Sequence, residues 1–75
     1  MSKPKSESRF KEILRTVIEY HDTVGDDFGE LAEKIAKRFG LPLEAVEEIL
    51  DWCYEMNGFF EECVAENILE ELENR

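Results

Sequence analysis

The chain is expected to fold as an all-α protein of four short helices, on three observations. Apolar residues recur at three- and four-residue spacing almost from end to end. Gly25, Gly40 with Pro42, and Asn57-Gly58 divide that pattern into four blocks. No stretch alternates at period two for long enough to form a strand. Hydrophobic residues make up 43% of the 75, enough for one packed core and too many for a disordered chain. A domain of this size sits near the lower limit of what one core stabilises without staples.

Residues 1–7 are polar and aperiodic and read as a flexible tail, with 8–75 as a single helical domain. The first helix is expected from about Ser8, capped by Ser6 or Ser8, with Phe10, Ile13, Leu14, Val17, Ile18 and His21 on its apolar face. It should end near Asp22, before the turn-like Thr23-Val24-Gly25-Asp26. Asp26 or Asp27 then caps a second helix whose stripe is Phe28, Leu31, Ala32, Ile35, Ala36 and Phe39. Glu30–Lys34 and Glu33–Lys37 stand as i,i+4 pairs in the favourable order, each worth about 0.2–0.5 kcal/mol if closed. Lys37 and Arg38 suit the negative end of the helix dipole, and Gly40 suits the position just past it.

Pro42 opens a third helix, where its missing N–H costs nothing. The core face there is Leu43, Val46, Ile49, Leu50, Cys53 and Tyr54, and Asn57-Gly58 ends it. A fourth helix runs from Phe59 or Phe60 to about Leu72, with Phe60, Val64, Ile68 and Leu72 on one stripe. Cys53 and Cys63 have neither zinc-ligand nor Cys-x-x-Cys spacing, but lie five residues either side of Gly58. A hairpin of antiparallel helices brings them to similar height, so the spacing admits a disulfide as well as two small buried thiols.

Charge is divided unevenly between the two halves. From Met1 to Gly40 eight basic residues (Lys3, Lys5, Arg9, Lys11, Arg15, Lys34, Lys37, Arg38) balance eight acidic ones. From Leu41 onward eleven carboxylates face Arg75 alone, so this half carries the whole net charge of −10. A pI near 4.4 disfavours DNA, RNA and anionic membranes as direct partners. No apolar run approaches the ~18–20 residues that span a bilayer. The N-terminus lacks an apolar signal region, so a cytoplasmic location is expected.

Ala36, Gly40 and Val46 stand at relative positions 0, +4 and +10, with Ile35, Phe39, Leu41 and Ile49 apolar around them. Over Ala32–Asp51, in a unit at about 28–56, this resembles the helix-turn-helix superfamily: a small residue where two helices cross, a turn glycine, and a β-branched anchor. Phe10–His21 supplies a supporting first helix. The resemblance implies that the third helix would lie in the DNA major groove and present its early polar positions to the bases. Those positions here are Glu44, Glu47, Glu48 and Asp51. With Glu55 they fill one sector of ~100° on a helical wheel, with no cation among them. A glutamate can accept from cytosine, but such contacts need Lys and Arg nearby to neutralise phosphate.

A solvated acidic face is the plain reading of this pattern. Segregation of the charge, extended by Glu61, Glu62, Glu66, Glu70, Glu71 and Glu73, points instead to a cationic partner. The favoured expectation is a small non-enzymatic regulator or inhibitor that presents Glu44, Glu47, Glu48, Asp51 and Glu55 to a basic protein surface. Trp52 and Met56, beside Ala45, would form the apolar edge of the contact. In size and charge it resembles the small acidic DNA mimics of viruses and plasmids. One alternative is a DNA-binding regulator that uses Lys34, Lys37 and Arg38, helped by the basic residues of the first helix. A second is a homodimer or assembly subunit joined through Trp52 and the fourth helix. No cofactor, metal or catalytic motif is present, and His21 reads as a hydrogen-bonded helix-end residue.

Overall fold

In the computed structural model, which describes residues 5–55 and 58–74, four helices follow one another: α1 (Lys5–Val24), α2 (Phe28–Phe39), α3 (Leu43–Tyr54) and α4 (Phe60–Glu73). No strand occurs among the described residues. α1 packs on α4 and α2, and α3 packs on α2 and α4, so α1 and α3 stand diagonally across the bundle.

α1 begins at Lys5, inside the segment read as tail, so the expected start near Ser8 is too late and Ser6 and Ser8 fall within the helix rather than before it. It also runs two residues past Asp22. Thr16 and Thr23 are accommodated because their hydroxyls donate to the carbonyls of Glu12 (3.0 Å) and Glu19 (2.8 Å) one turn back. Gly25 ends the helix at φ +69°, donating its N–H to the His21 carbonyl at 2.8 Å. Ile13 and Val17 are buried, and Phe10, Leu14, Tyr20 and Val24 pack against the core. Ile18, expected on that face, is instead 47% exposed. Ile18 lies ~100° round the helix from Val17, so the contact centred on Val17 leaves it outside.

α2 is the centre of the core, with Leu31, Ala32, Ile35 and Ala36 buried. Of the two candidate caps, Asp27 caps it, accepting from the Glu30 N–H at 3.2 Å. At the other end Gly40 adopts φ +68°, and the Leu41 N–H reaches back to the Ala36 carbonyl at 2.9 Å. A β-carbon at Gly40 would meet no neighbour, so glycine is favoured there by backbone conformation alone. The expected Glu30–Lys34 and Glu33–Lys37 ion pairs do not close. Lys34 lies over the Tyr20 ring at 5.7 Å instead, and Arg38 over Phe39 at 5.3 Å.

Pro42 is the residue before α3, and its carbonyl accepts from the Val46 N–H at 3.2 Å. Val46, Leu50 and Cys53 are buried and Ile49 is half-buried. Leu43 (40% exposed) and Tyr54 (66% exposed) depart from the expected core face, because the stripe on α3 is longer than the contact it makes. α4 buries Val64, Ala65 and Ile68, with Phe60 and Leu72 partly covered. The cysteines are bonded: Cys53 and Cys63 close a disulfide between α3 and α4 with their Cα atoms 5.7 Å apart. The Asn67 amide donates to the Cys63 carbonyl at 2.8 Å and lies 3.8 and 3.7 Å from the two sulfurs. No polar or charged side chain is buried among the described residues.

Two stability measurements follow from this packing. Leu31→Ala empties a fully buried site in the central helix and should cost about 2–5 kcal/mol in chemical denaturation. Reducing the Cys53–Cys63 bond frees a segment with a sequence separation of 10. Loop closure of that size predicts a loss of about 2–3 kcal/mol, read as a lower denaturation midpoint in the presence of reductant.

Candidate functional site

α3 turns Val46, Leu50 and Cys53 inward, which fixes what its opposite side presents. Glu44, Glu47, Glu48 and Asp51 are all exposed there, with Glu55 just past the last turn. Among the described residues no cation pairs with any of the five. Glu44 sits in the first turn, where the helix dipole favours an anion. Asp51 and Glu55 lie at the other end, where the dipole disfavours one and no basic residue offsets it. α4 repeats the pattern, with no basic residue in its last turn.

Trp52 stands beside this face at 61% exposure, with Ala45 half-buried next to it. Met56, the other residue expected at this edge, lies outside the described residues, as does Asn57. Two aromatic side chains not expected at the surface are exposed near the α3–α4 connection, Tyr54 at 66% and Phe59 at 77%. Tyr54 is steadied by an edge-on contact with Phe28, ring centroids 5.1 Å apart. The site therefore combines a row of unpaired carboxylates with an aromatic border.

Glu61 does not join that row. Its carboxylate meets His21 Nδ1 at 2.9 Å and so ties the start of α4 to the end of α1. The hydrogen bond from His21 holds the Glu61 carboxyl below the ordinary glutamate value, outweighing the opposing effect of burial. His21 also packs on Phe60 at 5.1 Å, and Phe60 stacks on Phe28 at 5.3 Å. A hydrogen-bonded helix-end role for His21 was readable in the sequence. Its partner, forty residues away, was not. Of the other α4 carboxylates, Glu62, Glu66, Glu70 and Glu73 are exposed and Glu71 is half-buried.

Of the alternative basic residues, Lys37 and Arg38 are exposed, while Lys34 is half-buried over Tyr20. α2 and α3 are joined by three residues, with Ala36 and Val46 buried and Gly40 left-handed between them. No group of three His, Cys, Asp or Glu side chains among the described residues could hold a metal ion. No helix among them is long and apolar enough to cross a membrane. No family model matches the chain, and neither a curated protein nor a solved structure is significantly similar to it.

The His21–Glu61 pair sets a pH dependence with a definite sign. Because the folded-state value of Glu61 is lowered, its stabilisation is present above the ordinary 4.5 and is lost as pH falls through the folded value. The stability difference between the native chain and Glu61→Gln should therefore be full at neutral pH and close at acid pH. Denaturation midpoints of the two proteins compared across that range check it.

Proposed function

We propose that the chain is a small non-enzymatic binding protein of helix-turn-helix shape that presents the outer face of α3 to a basic surface on another protein, standing in for DNA. The observation that carries this reading is the row Glu44, Glu47, Glu48, Asp51 and Glu55, exposed and without a cation, with Trp52 exposed at its edge. Five carboxylates over the eleven-residue step from Glu44 to Glu55 give about one charge per 3–4 Å of helix axis, close to the ~3.4 Å per phosphate of one DNA strand. A surface built for phosphate thus meets a similar charge density on α3. Trp52 adds an apolar anchor of the kind that carries binding energy at protein interfaces.

Size, charge and shape suit a regulator or inhibitor of nucleic-acid machinery, similar to those encoded by viruses and plasmids. The Cys53–Cys63 bond suits an oxidising compartment or the cytoplasm of a thermophile better than a reducing mesophilic cytoplasm. DNA binding through Lys34, Lys37 and Arg38 has less support. Lys34 is occupied by Tyr20, and the net charge of −10 repels the duplex.

The test uses the immobilised protein in extract from its own source, washed first with duplex DNA and then with salt. Release of a basic nucleic-acid-binding protein by duplex DNA is the expected result. Replacing Glu44, Glu47 and Glu48 by Gln and Asp51 by Asn should then weaken that purified partner by at least ~10-fold. Unchanged affinity of the fourfold variant would overturn the reading. Duplex affinity of the chain itself at low salt, lost on replacing Lys34, Lys37 and Arg38, would establish the DNA-binding alternative instead.

A further inference from the structure

We propose that the outer face of α1 is a self-association surface, through which two copies of the chain pair antiparallel about a two-fold axis. This does not depend on the proposed role of α3. A groove of about 730 Å³ runs along α1, and within it Leu14 and the 47%-exposed Ile18 form an apolar centre. Lys11 and Arg15 line it towards one end of the helix, and Glu19, Asp22 and Asp26 towards the other, all five exposed, with Glu61 of α4 closing that end in its bond to His21.

That charge order runs against the helix it sits on. A helix dipole favours anions at the N-terminal end and cations at the C-terminal end. α2 obeys this, with Glu30 in its first turn and Lys37 and Arg38 in its last. α1 leans the other way: Lys5, Arg9 and Lys11 stand against Glu7 and Glu12 in its first ten residues, and Arg15 against Glu19 and Asp22 in its last ten, with His21 the basic residue of the last turn. None of Lys11, Arg15, Glu19 and Asp22 forms an ion pair among the described residues. The helix dipole acts mainly on its first and last turns and does not neutralise these four mid-helix and end charges, whereas a second, antiparallel copy offers each of them a partner of opposite sign.

With the two-fold axis passing between Thr16 and Val17, Lys11 comes opposite Asp22 of the second copy, while Arg15 with Glu19 and Leu14 with Ile18 come within one residue of register, a rise of ~1.5 Å. The interface is then isologous, with every contact made twice and both helix dipoles opposed. Electrostatics also selects this face over the others. Residues 1–40 are balanced at zero net charge, and residues 41–75 carry all of the −10. Pairing through Trp52 and α4 would bring the two charged halves together, whereas α1 itself carries no net charge, with four basic and four acidic residues.

Sedimentation equilibrium on the full chain tests this at about 150 mM salt, where the screening length of ~8 Å suppresses long-range repulsion but not contact pairs. The apparent mass should rise with concentration from 8.8 kDa towards twice that value. Two double variants give the decisive comparison, Lys11→Glu with Arg15→Glu, and Glu19→Lys with Asp22→Lys. Each alone makes the stripe single-signed and should weaken self-association by ~10-fold or more. Mixed in equal amounts they present complementary stripes and should associate again, which a merely misfolded pair could not do. Should either fail to fold by circular dichroism, Ile18→Lys at its exposed position carries the same test. A native chain that stays monomeric at every concentration overturns the proposal. So do variants that associate as the native chain does, a mixture that stays monomeric, or a dimer abolished by Trp52→Ala but not by the α1 changes.

Discussion

α3 and α4 lie side by side although both carry carboxylates and neither carries a cation in its last turn. Two unit charges ~10 Å apart in water repel by only ~0.4 kcal/mol, and salt reduces that further. Many such pairs nonetheless add up to a few kcal/mol, a large share of the stability a domain of this size can have. The Cys53–Cys63 bond is of matching size, and it joins the two helices that repel. The direction of the side chains does the rest. Val46, Leu50 and Cys53 on α3 turn towards the core with Val64, Ala65 and Ile68 on α4, so the α3 carboxylates stand on its far side. The acidic face can persist because the staple and the core oppose the repulsion at the seam between the two helices.

The same arrangement divides the molecule by role. The first forty residues, which hold α1 and α2, are electrically balanced and supply much of the packing, with Ile13, Val17, Leu31 and Ile35 almost wholly buried. At the end of the bundle near the α3–α4 connection, His21, Phe28, Phe60 and Tyr54 form one aromatic cluster drawn from all four helices. The His21–Glu61 hydrogen bond closes that cluster and removes one carboxylate from the acidic surface. What remains exposed on α3 is a row set on a helix held from both sides, by α2 through the turn at Gly40 and by α4 through the disulfide. A rigid support of this kind lowers the ordering cost of binding.

How much of this was legible in the sequence follows from the range of each interaction. The four helices, the cap at Asp27, the left-handed Gly40 and the buried Val46 all rest on neighbours within a few residues, and periodicity with turn chemistry reads those directly. Ile18, Leu43 and Tyr54 were misread because hydrophobic spacing marks a stripe without saying how far the neighbouring helix extends along it. Lys34 left Glu30 for the Tyr20 ring, which only the packing of α1 against α2 brings within reach. The partner of His21 and the state of the cysteines depend on how α4 returns against α1 and α3. No local pattern encodes that return. At the acidic face, sequence placed the carboxylates correctly because α3 is regular there. It could not settle Trp52, whose exposure depends on where α4 ends up.

The diagonal placement of α1 and α3 links the two surfaces of the molecule. Each packs on α2 and α4, so their outer faces point away from one another, and a partner on either leaves the other open. A pair of chains joined along α1 would therefore carry two acidic α3 faces directed outward. Both would sit at fixed positions with no linker to order. Two such faces meeting a partner that is itself two-fold, as many proteins that grip duplex DNA are, would bind with the second contact effectively intramolecular. Avidity of that kind raises the occupancy of a basic groove without any further charge on a single chain. That matters here, because each added carboxylate on α3 or α4 would deepen the repulsion that the disulfide and the core already oppose.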